Sequence, residues 1–590
     1  MTLSRQRLLA SPRPLPAWRA RAVWTLLGLG LGGTMLASWD AQVLRHHQLR
    51  DQGDQRYLRQ LPLPLPARAP IVDRHGEVLA VSVPTTTLWA DPRFFPVSGP
   101  EFSAVAQALH LSDAELRQRL RRGGSRFAYI ARQLPPDAAA PVLAMKVAGL
   151  HQLLEYRRYY PDADVTGPLL GFTDLDGHGI AGIELSYDSW LRSKGSTATA
   201  LQDNRGRTLA FAGLPTTAQP GQTLALSIDR NLQYTAYTAL AAAVQAAGAS
   251  SGSAVLMDLR NGEILALVSY PSYNPNNRSD YVAKLYDNRA LNHTYEPGSV
   301  MKPFAVAAAL DAGSIRPDSR FDVATSCYRV GRYCIRDDVR HGTLDLRQVL
   351  QYSSNIGAAQ ISLRTPPAAL YGTLQRAGFG RISEIGFPGE APGNLPPSQN
   401  WDRSRQAAMA YGYGISVTTL QLAAAYGAIA RDGIYLRPTL LHGGNTDERP
   451  GPAVMRPQTA ALLRQWLQAV VAPGGTGFLA AIPGYSVAGK TGTSALANGK
   501  GGFHHSRVNT SFVGFAPAEH PRLVMAVTVR DPSRGLRYGG VVAAPVFRVT
   551  MGAALRALRV PPDRPFSDGI VKVSSTQQKL WAEGAGDARH

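Results

Sequence analysis

Between Arg21 and Asp40 the chain runs for 18 residues, Ala22 to Trp39, without a charge. No other stretch constrains the fold as much, because a run of this length and apolarity is about enough to cross a bilayer. Arg5, Arg7, Arg13, Arg19 and Arg21 precede it, and the first acid is Asp40. A secretory signal has the same basic flank, but its apolar segment is shorter, and Thr34–Trp39 offers a poor small-residue cleavage site. The run reads as an uncleaved anchor. The positive-inside rule then puts residues 1–21 in the cytoplasm and everything after Asp40 across the membrane. Gly28 and Gly32 set a Gly-x-x-x-Gly spacing that suits close approach of a partner helix.

At 590 residues there is room for two or three domains. A hydrophobic content of 44% with 18% charged residues excludes wholesale disorder. The net charge of +20 suits an anionic surface or polymer. Nucleic acid is the usual partner of so basic a chain, but no zinc-knuckle or other nucleic-acid signature is present, and that class is set aside.

From 40 to 220 the chain reads as an extracytoplasmic pedestal. Asp40 to about Leu61 is polar and helical in pattern. Alternate prolines in Leu61–Pro70 make a stiff spacer. Ile71–Ala80 is a strand-turn-strand with Gly76 at the turn, and Asp113–Arg122 is a helix that Ser112 can cap. Helical spacing also runs from Pro135 to Leu154. Gly167–Gly182 reads as irregular. No catalytic cluster falls between 40 and 225.

The texture changes near Gly221, and residues 221–565 read as one catalytic domain. Thr223–Ile228 alternates like a strand, and Asp229 can cap a helix over Leu232–Ala247. Ser253–Asp258 and Glu263–Ser269 flank an Asn261-Gly262 turn. Ser511–Phe515 and Leu523–Val529 are strands, and Leu420–Ala430 is a helix. Helices between early and late strands imply an α+β fold: one mixed, mainly antiparallel sheet with helices on its faces. Residues 566–590 lose periodicity and read as a loose tail.

The chemistry concentrates in three short segments. In Tyr295-Glu-Pro-Gly-Ser-Val-Met-Lys-Pro303 a turn delivers Ser299 to the start of an apolar helix, Phe304–Ala312, which Gly313 can end. Lys302 follows one turn on, on the same face. Alone, the pattern fits an N-cap serine and a surface lysine equally well. Only eight of the 62 basic residues are lysine, however, and arginine cannot serve as a base. Ser353-Ser354-Asn355 lies in a break between two helical patterns. Lys490-Thr491-Gly492-Thr493 leads into a hairpin. Ser-x-x-Lys, Ser-x-Asn and Lys-Thr-Gly, in that order, form the signature set of serine acyl-transferases that react with penicillins. Acyl transfer needs a nucleophile, a proton relay, an oxyanion hole and an anchor for the substrate anion, and these side chains can supply them. The two cysteines, Cys327 and Cys334, face each other across a hairpin if Val330-Gly331 is its turn, and outside the cytoplasm a bridge is favoured. Two cysteines with no histidine cluster do not make a metal site.

With these residues quoted, residues 20–560 resemble the class B penicillin-binding proteins, and most of all the cell-division (septal) peptidoglycan transpeptidase of that class. The pointers are Ala80–Pro84, Trp89–Pro92, Tyr270–Pro275, Tyr295–Pro303 and Phe387–Glu390. The resemblance implies that Ser299 is the acyl-enzyme nucleophile and Lys302 its base. Ser353 and Asn355 would relay a proton and position substrate. Lys490, Thr491, Gly492 and Thr493 would form the strand that binds the terminal carboxylate of D-alanyl-D-alanine. Backbone N–H groups of Ser299 and Thr493 would form the oxyanion hole. Implied partners are peptidoglycan stem peptides, β-lactams, the inner membrane, a membrane glycan polymerase and other division proteins; no cofactor or metal is implied. Thr166–Leu170 lacks a histidine common in the family, and Leu191–Gly195 lacks a glycine. Both departures fall in the pedestal. Two rivals remain. One is a hydrolase such as a D,D-carboxypeptidase or β-lactamase, although no Glu-x-x-Leu-Asn is present. The other is a catalytically silent division scaffold.

Overall fold

A computed structural model of the chain describes residues 16–62, 66–193, 195, 197–202, 208–211, 219–277, 279, 282–443, 451–498, 502–535 and 537–565. Most of the expected cytoplasmic tail and all of the expected loose tail at 566–590 lie outside these residues. The chain divides into two compact units, residues 1–66 with 194–219 and residues 67–193 with 220–590.

The first unit carries a helix over Ala17–Trp39 with no buried residue. It continues through a π-turn at Asp40–Leu44, and an 18-residue window within Ala17–Leu44 reaches a mean hydropathy of 1.3, long and apolar enough to cross a membrane. A second helix, His46–Tyr57, ends earlier than the polar helical pattern suggests. There Leu58–Pro62 turns to strand and pairs antiparallel with Thr197–Gln202, more than a hundred residues on.

In the second unit, Val78–Ala90 is the spine of the pedestal sheet. It pairs antiparallel with Ala128–Leu134, Leu150–Tyr159 and Ile71–Val72. Gly76 turns the first hairpin at φ 86°, as its position in the sequence requires. Ser112 caps Asp113–Arg122 in a full capping box with Glu115, and Leu116 and Leu120 bury that helix against a local core with Phe102 and Val105. The helix expected over Pro135–Leu154 is half wrong. It covers only Pro136–Ala144, then Lys146 and Gly149 take positive φ and Leu150–Tyr159 is a strand. Leucines at 150, 153 and 154 have helical spacing, but ladder bonds to Val78–Ala90 outweigh that local preference.

Four ionic side chains pin another part of the pedestal. Glu184, fully buried, accepts from Arg68 Nε and Arg158 Nε, both at 2.7 Å, and Arg68 Nη1 also reaches Asp188 at 2.6 Å. Each guanidinium here meets a carboxylate, the arrangement a dry interior demands, and Arg68 Nη2 and Arg158 Nη1 donate to backbone carbonyls besides.

The catalytic part is built on five strands: β1 (Ser251–Asp258), β2 (Ile264–Tyr270), β3 (Ala488–Ala497), β4 (Phe503–Ala516) and β5 (Leu523–Arg530). Their order is β2-β1-β5-β4-β3, and all four pairings are antiparallel, so the sheet is not mixed. β1, β2 and β5 carry apolar runs without alternation, Ala254–Met257, Ile264–Val268 and Leu523–Val527, because both faces are covered. Val255, Met257, Val513 and Ala526 face one core, while Ala254, Leu256, Phe512 and Val527 face another. Helices Arg230–Ala246 and Ala544–Ala557 close the second core, and Asp229 caps the former through Asn231 N and Leu232 N. Helices Lys302–Asp311 and Thr419–Ala430 fill the first. Every residue of Thr419–Ala430 is buried, and apart from Thr419 and Gln421, which are hydrogen-bonded, its faces are apolar all round.

The hairpin Tyr328–Val330 with Tyr333–Ile335 differs from expectation in register. Its turn is Gly331-Arg332, so Arg329, not Cys327, stands opposite Cys334. Cys327 and Cys334 are nonetheless joined by a disulfide, with Cα atoms 5.3 Å apart.

Candidate active site

The three segments converge on one point. Gly298–Met301 forms a single 3₁₀ turn and Lys302 starts the α-helix that follows, so Ser299 lies in the turn feeding the helix and does not cap it. The turn is tight because Gly298 takes φ 65°, and a Cβ there would stand 3.0 Å from Thr493 O. That closeness lays β3 directly against the Ser299 turn. Gly492 serves the same approach: a Cβ on it would meet Ser511 Oγ at 2.3 Å and Pro297 O at 2.9 Å. Tyr426 anchors the turn from below, donating to Val300 O at 2.7 Å.

Ser353 sits between helices Leu346–Gln351 and Asn355–Arg364 at φ 60°. A left-handed serine costs on the order of 1–3 kcal/mol and is held only by its surroundings. Asp337 supplies much of the hold. Its carboxylate accepts from Asn355 N, Ile356 N at 3.0 Å and Ser354 Oγ. Arg336 O accepts from Asn355 Nδ2 at 3.0 Å, and Ser354 Oγ caps Gly357 N.

Lys302 Nζ is the hub. It lies 2.9 Å from Ser299 Oγ, 2.7 Å from Asn355 Oδ1 and 3.2 Å from Ser353 Oγ, and it also donates to Ser353 O. Two of these partners, a backbone carbonyl and an amide oxygen, can only accept, so they fix two of the amine's hydrogens. What remains on the nitrogen, a third proton or a lone pair, faces the hydroxyls of Ser299 and Ser353. Lys490 Nζ reaches the same Ser353 Oγ at 2.9 Å and donates to Thr491 O at 3.2 Å. One hydroxyl thus bridges two amines.

Both lysines are 0% exposed, and among the described residues neither has an ion pair. Burial therefore dominates. It brings Lys302 down to about 7, against smaller upward pulls from Asp337 and Asp338. Burial and then the neighbouring Lys302 hold Lys490 well below the ordinary lysine range, with Asp338 opposing. A lysine brought near neutrality beside a hydroxyl at hydrogen-bond distance is a general base in position.

All eight side chains or backbone positions singled out in the sequence lie in or beside this cluster, but not all in the same way. Ser299, Ser353, Asn355 and Thr493 are half-buried and line the open side. Thr493 Oγ1 accepts from Gly539 N at 3.3 Å. Thr491 turns its hydroxyl away, to Thr476 Oγ1 at 2.8 Å. Lys490 lies behind Ser353, not on the open side. Asp337, Asp338 and Thr476 were missed in the sequence, and no short pattern marks them.

Two family models match: the penicillin binding protein transpeptidase domain over residues 252–552 and the penicillin-binding protein dimerisation domain over residues 64–226. A Pseudomonas aeruginosa protein named Probable peptidoglycan D,D-transpeptidase PbpC is 40% identical over 542 residues, 92% of this chain and 95% of its own. Peptidoglycan D,D-transpeptidase FtsI of Escherichia coli K12 is 39% identical, covering 88% and 89%. Among solved structures, the apo transpeptidase domain of Burkholderia pseudomallei penicillin-binding protein 3 is 43% identical, with a TM-score of 0.53 over 58% of this chain and 98% of that one. Penicillin-binding protein 3 of Mycobacterium tuberculosis in complex with aztreonam is 26% identical, with a TM-score of 0.65 over 86% and 99%. A buried-lysine serine site on a five-stranded antiparallel sheet, joined to matches that span the pedestal as well, fixes the kinship: the chain belongs to the FtsI-like class B penicillin-binding proteins.

Proposed function

We propose that this protein is a membrane-anchored peptidoglycan D,D-transpeptidase acting through a Ser299 acyl-enzyme. The observation that carries the reading is the placement of Lys302 Nζ, 2.9 Å from Ser299 Oγ with its other hydrogens engaged by Ser353 O and Asn355 Oδ1. Neutral Lys302 takes the proton of Ser299 as Oγ bonds to the carbonyl carbon of the penultimate D-alanine. The backbone N–H groups of Ser299 and Thr493 hold the resulting oxyanion. The C–N bond then breaks, and the departing amine of terminal D-alanine gains a proton from Lys302 through the Ser353 hydroxyl. A neighbouring amine attacks the ester, loses its proton along the same route, and frees Ser299.

Thr493 suits the substrate carboxylate, because a hydroxyl that accepts from Gly539 N keeps its own proton to donate. Lys490 acts from behind Ser353, whose hydroxyl its amine meets at 2.9 Å. A β-lactam is attacked in the same way, but its leaving nitrogen remains tethered. Water in place of the amine gives a carboxypeptidase.

The anchor helix and its arginine-rich flank favour a cytoplasmic N-terminus, with the catalytic unit on the other side of the inner membrane. Likeness to FtsI across most of the chain favours a role at the division septum beside a membrane glycan polymerase. Incubation with a stem-peptide donor and an amine acceptor tests the activity: a cross-linked product with release of D-alanine is expected. Free tetrapeptide alone would make the protein a hydrolase, and no turnover with no acylation would make it a scaffold. A fluorescent fusion enriched at midcell is the expected location, and uniform sidewall label would point to elongation.

A further inference from the structure

Three catalytic groups hang on a loop that cannot hold its own shape. Ser353 is left-handed, and Asn355 begins a helix, where backbone N–H groups have no partners of their own. The Ser353 carbonyl and the Asn355 side chain must both point at Lys302 for that amine to be oriented. From outside the loop, among the described residues, the segment Arg336–Asp337 makes the polar contacts that secure this. It does so with the Arg336 carbonyl on Asn355 Nδ2 and the Asp337 carboxylate on Asn355 N, Ile356 N and Ser354 Oγ. That segment is itself delivered by the hairpin that ends at Ile335, which the Cys327–Cys334 bridge closes.

We propose that Asp337 is a positioning residue for acylation: its carboxylate locks the Ser353–Asn355 loop so that Ser353 O and Asn355 Oδ1 orient Lys302 toward Ser299. The inference rests on the proposed acyl-enzyme reading and deepens it. Asp337 is half-buried and touches no reacting atom, so it acts through the loop. Its charge has a second consequence. The charged groups facing Lys302 are Asp337 and Asp338, beyond the hairpin, and Lys490 on β3; Ser299, Ser353 and Asn355 are the neutral ones. Asp337 and Asp338 both favour the protonated amine. Removing the Asp337 charge while keeping an acceptor oxygen therefore lets Lys302 lose its proton at lower pH.

The test is the rate of acylation by a chromogenic β-lactam across pH, using the full chain in detergent and the variants Asp337→Ala and Asp337→Asn. Asp337→Ala is expected to acylate about 100-fold more slowly, the usual consequence of misplacing catalytic groups by an ångström. Asp337→Asn keeps one acceptor for the Asn355 and Ile356 amides, so it should lose less, and the acid limb of its profile should move to lower pH. That movement is what a merely structural role would not produce. It also remains readable if Asp337→Ala fails to fold. An Asp337→Asn profile superimposed on that of the parent overturns the inference, whatever its melting temperature. Mapping the adduct keeps the two proposals apart. An adduct on Ser299 with an unshifted Asp337→Asn profile sinks only the role of Asp337, whereas an adduct elsewhere sinks the acyl-enzyme reading itself.

Discussion

Two buried clusters of charged side chains sit in the second unit of this protein, and they are opposites. In the pedestal, Arg68 and Arg158 close on Glu184, and Arg68 also meets Asp188, so each cation faces an anion at 2.6–2.7 Å. In the catalytic part, Lys302 and Lys490 are just as buried, but their partners are hydroxyls, a carboxamide and backbone carbonyls. The first arrangement keeps its charges. The second cannot, and burial drives Lys302 to about 7. What a buried cation does is therefore decided by its partners: a carboxylate makes it structural, a hydroxyl makes it reactive. Residue choice follows the same line. Arginine's fixed charge and forked donors suit the pedestal, whereas only lysine can give up its proton in the site.

The sharpest way to break this contrast is to put the pedestal's chemistry into the site. Lys302→Arg keeps the charge but cannot accept a proton, so acylation by a β-lactam should fall by on the order of 1000-fold or more, the usual contribution of a general base. Stopped-flow acylation measures it, and a variant within tenfold of the parent would remove Lys302 from the role of base.

The reverse operation belongs in the pedestal. Glu184→Gln leaves two buried guanidiniums without their shared anion and should lower unfolding stability by about 3–5 kcal/mol. Per folded molecule, the acylation rate should hardly change. Denaturant melts combined with active-site titration read both quantities. A large loss of rate in molecules that remain folded would mean that the two clusters are not separate in function.

The smallest expected effect concerns Lys490, which belongs to the reactive cluster but meets it only through the Ser353 hydroxyl, at 2.9 Å. Lys490→Ala should cost roughly 1–3 kcal/mol in acylation efficiency by taking this partner from Ser353 Oγ, and Lys490→Arg should cost less because a donor stays. A donor ending in an amide should lose affinity for the parent but little more in Lys490→Ala. Strict additivity of the two changes would show that the lysine and the carboxylate do not communicate.

Much of this was legible in the sequence, for a physical reason. Ser299, Lys302, Ser353, Asn355 and Lys490 lie in segments whose local structure is dictated by neighbouring residues: a Pro-Gly turn before a helix, a break between two helices, a strand entering a hairpin. The capping of Asp113–Arg122 by Ser112 and of Arg230–Ala246 by Asp229 was readable for the same reason. What escaped was set by distant partners. Leu150–Tyr159 is a strand because Val78–Ala90 lies beside it, although its leucines are spaced for a helix. Asp337 matters because the chain returns to the Asn355 helix from a hairpin whose register is two residues from the expected one. The reversal of Thr491 toward Thr476 likewise depends on two segments meeting in space.

One experiment bears most directly on the claim that an unpaired buried lysine activates this serine. Penicillin acylation of the full chain is followed by intact mass and peptide mapping at a series of pH values. A single adduct on Ser299 is expected, absent in Ser299→Ala, forming at a rate that rises with pH through about 7 as Lys302 loses its proton. An adduct that persists in Ser299→Ala, or a rate flat from acid to neutral pH, would contradict it.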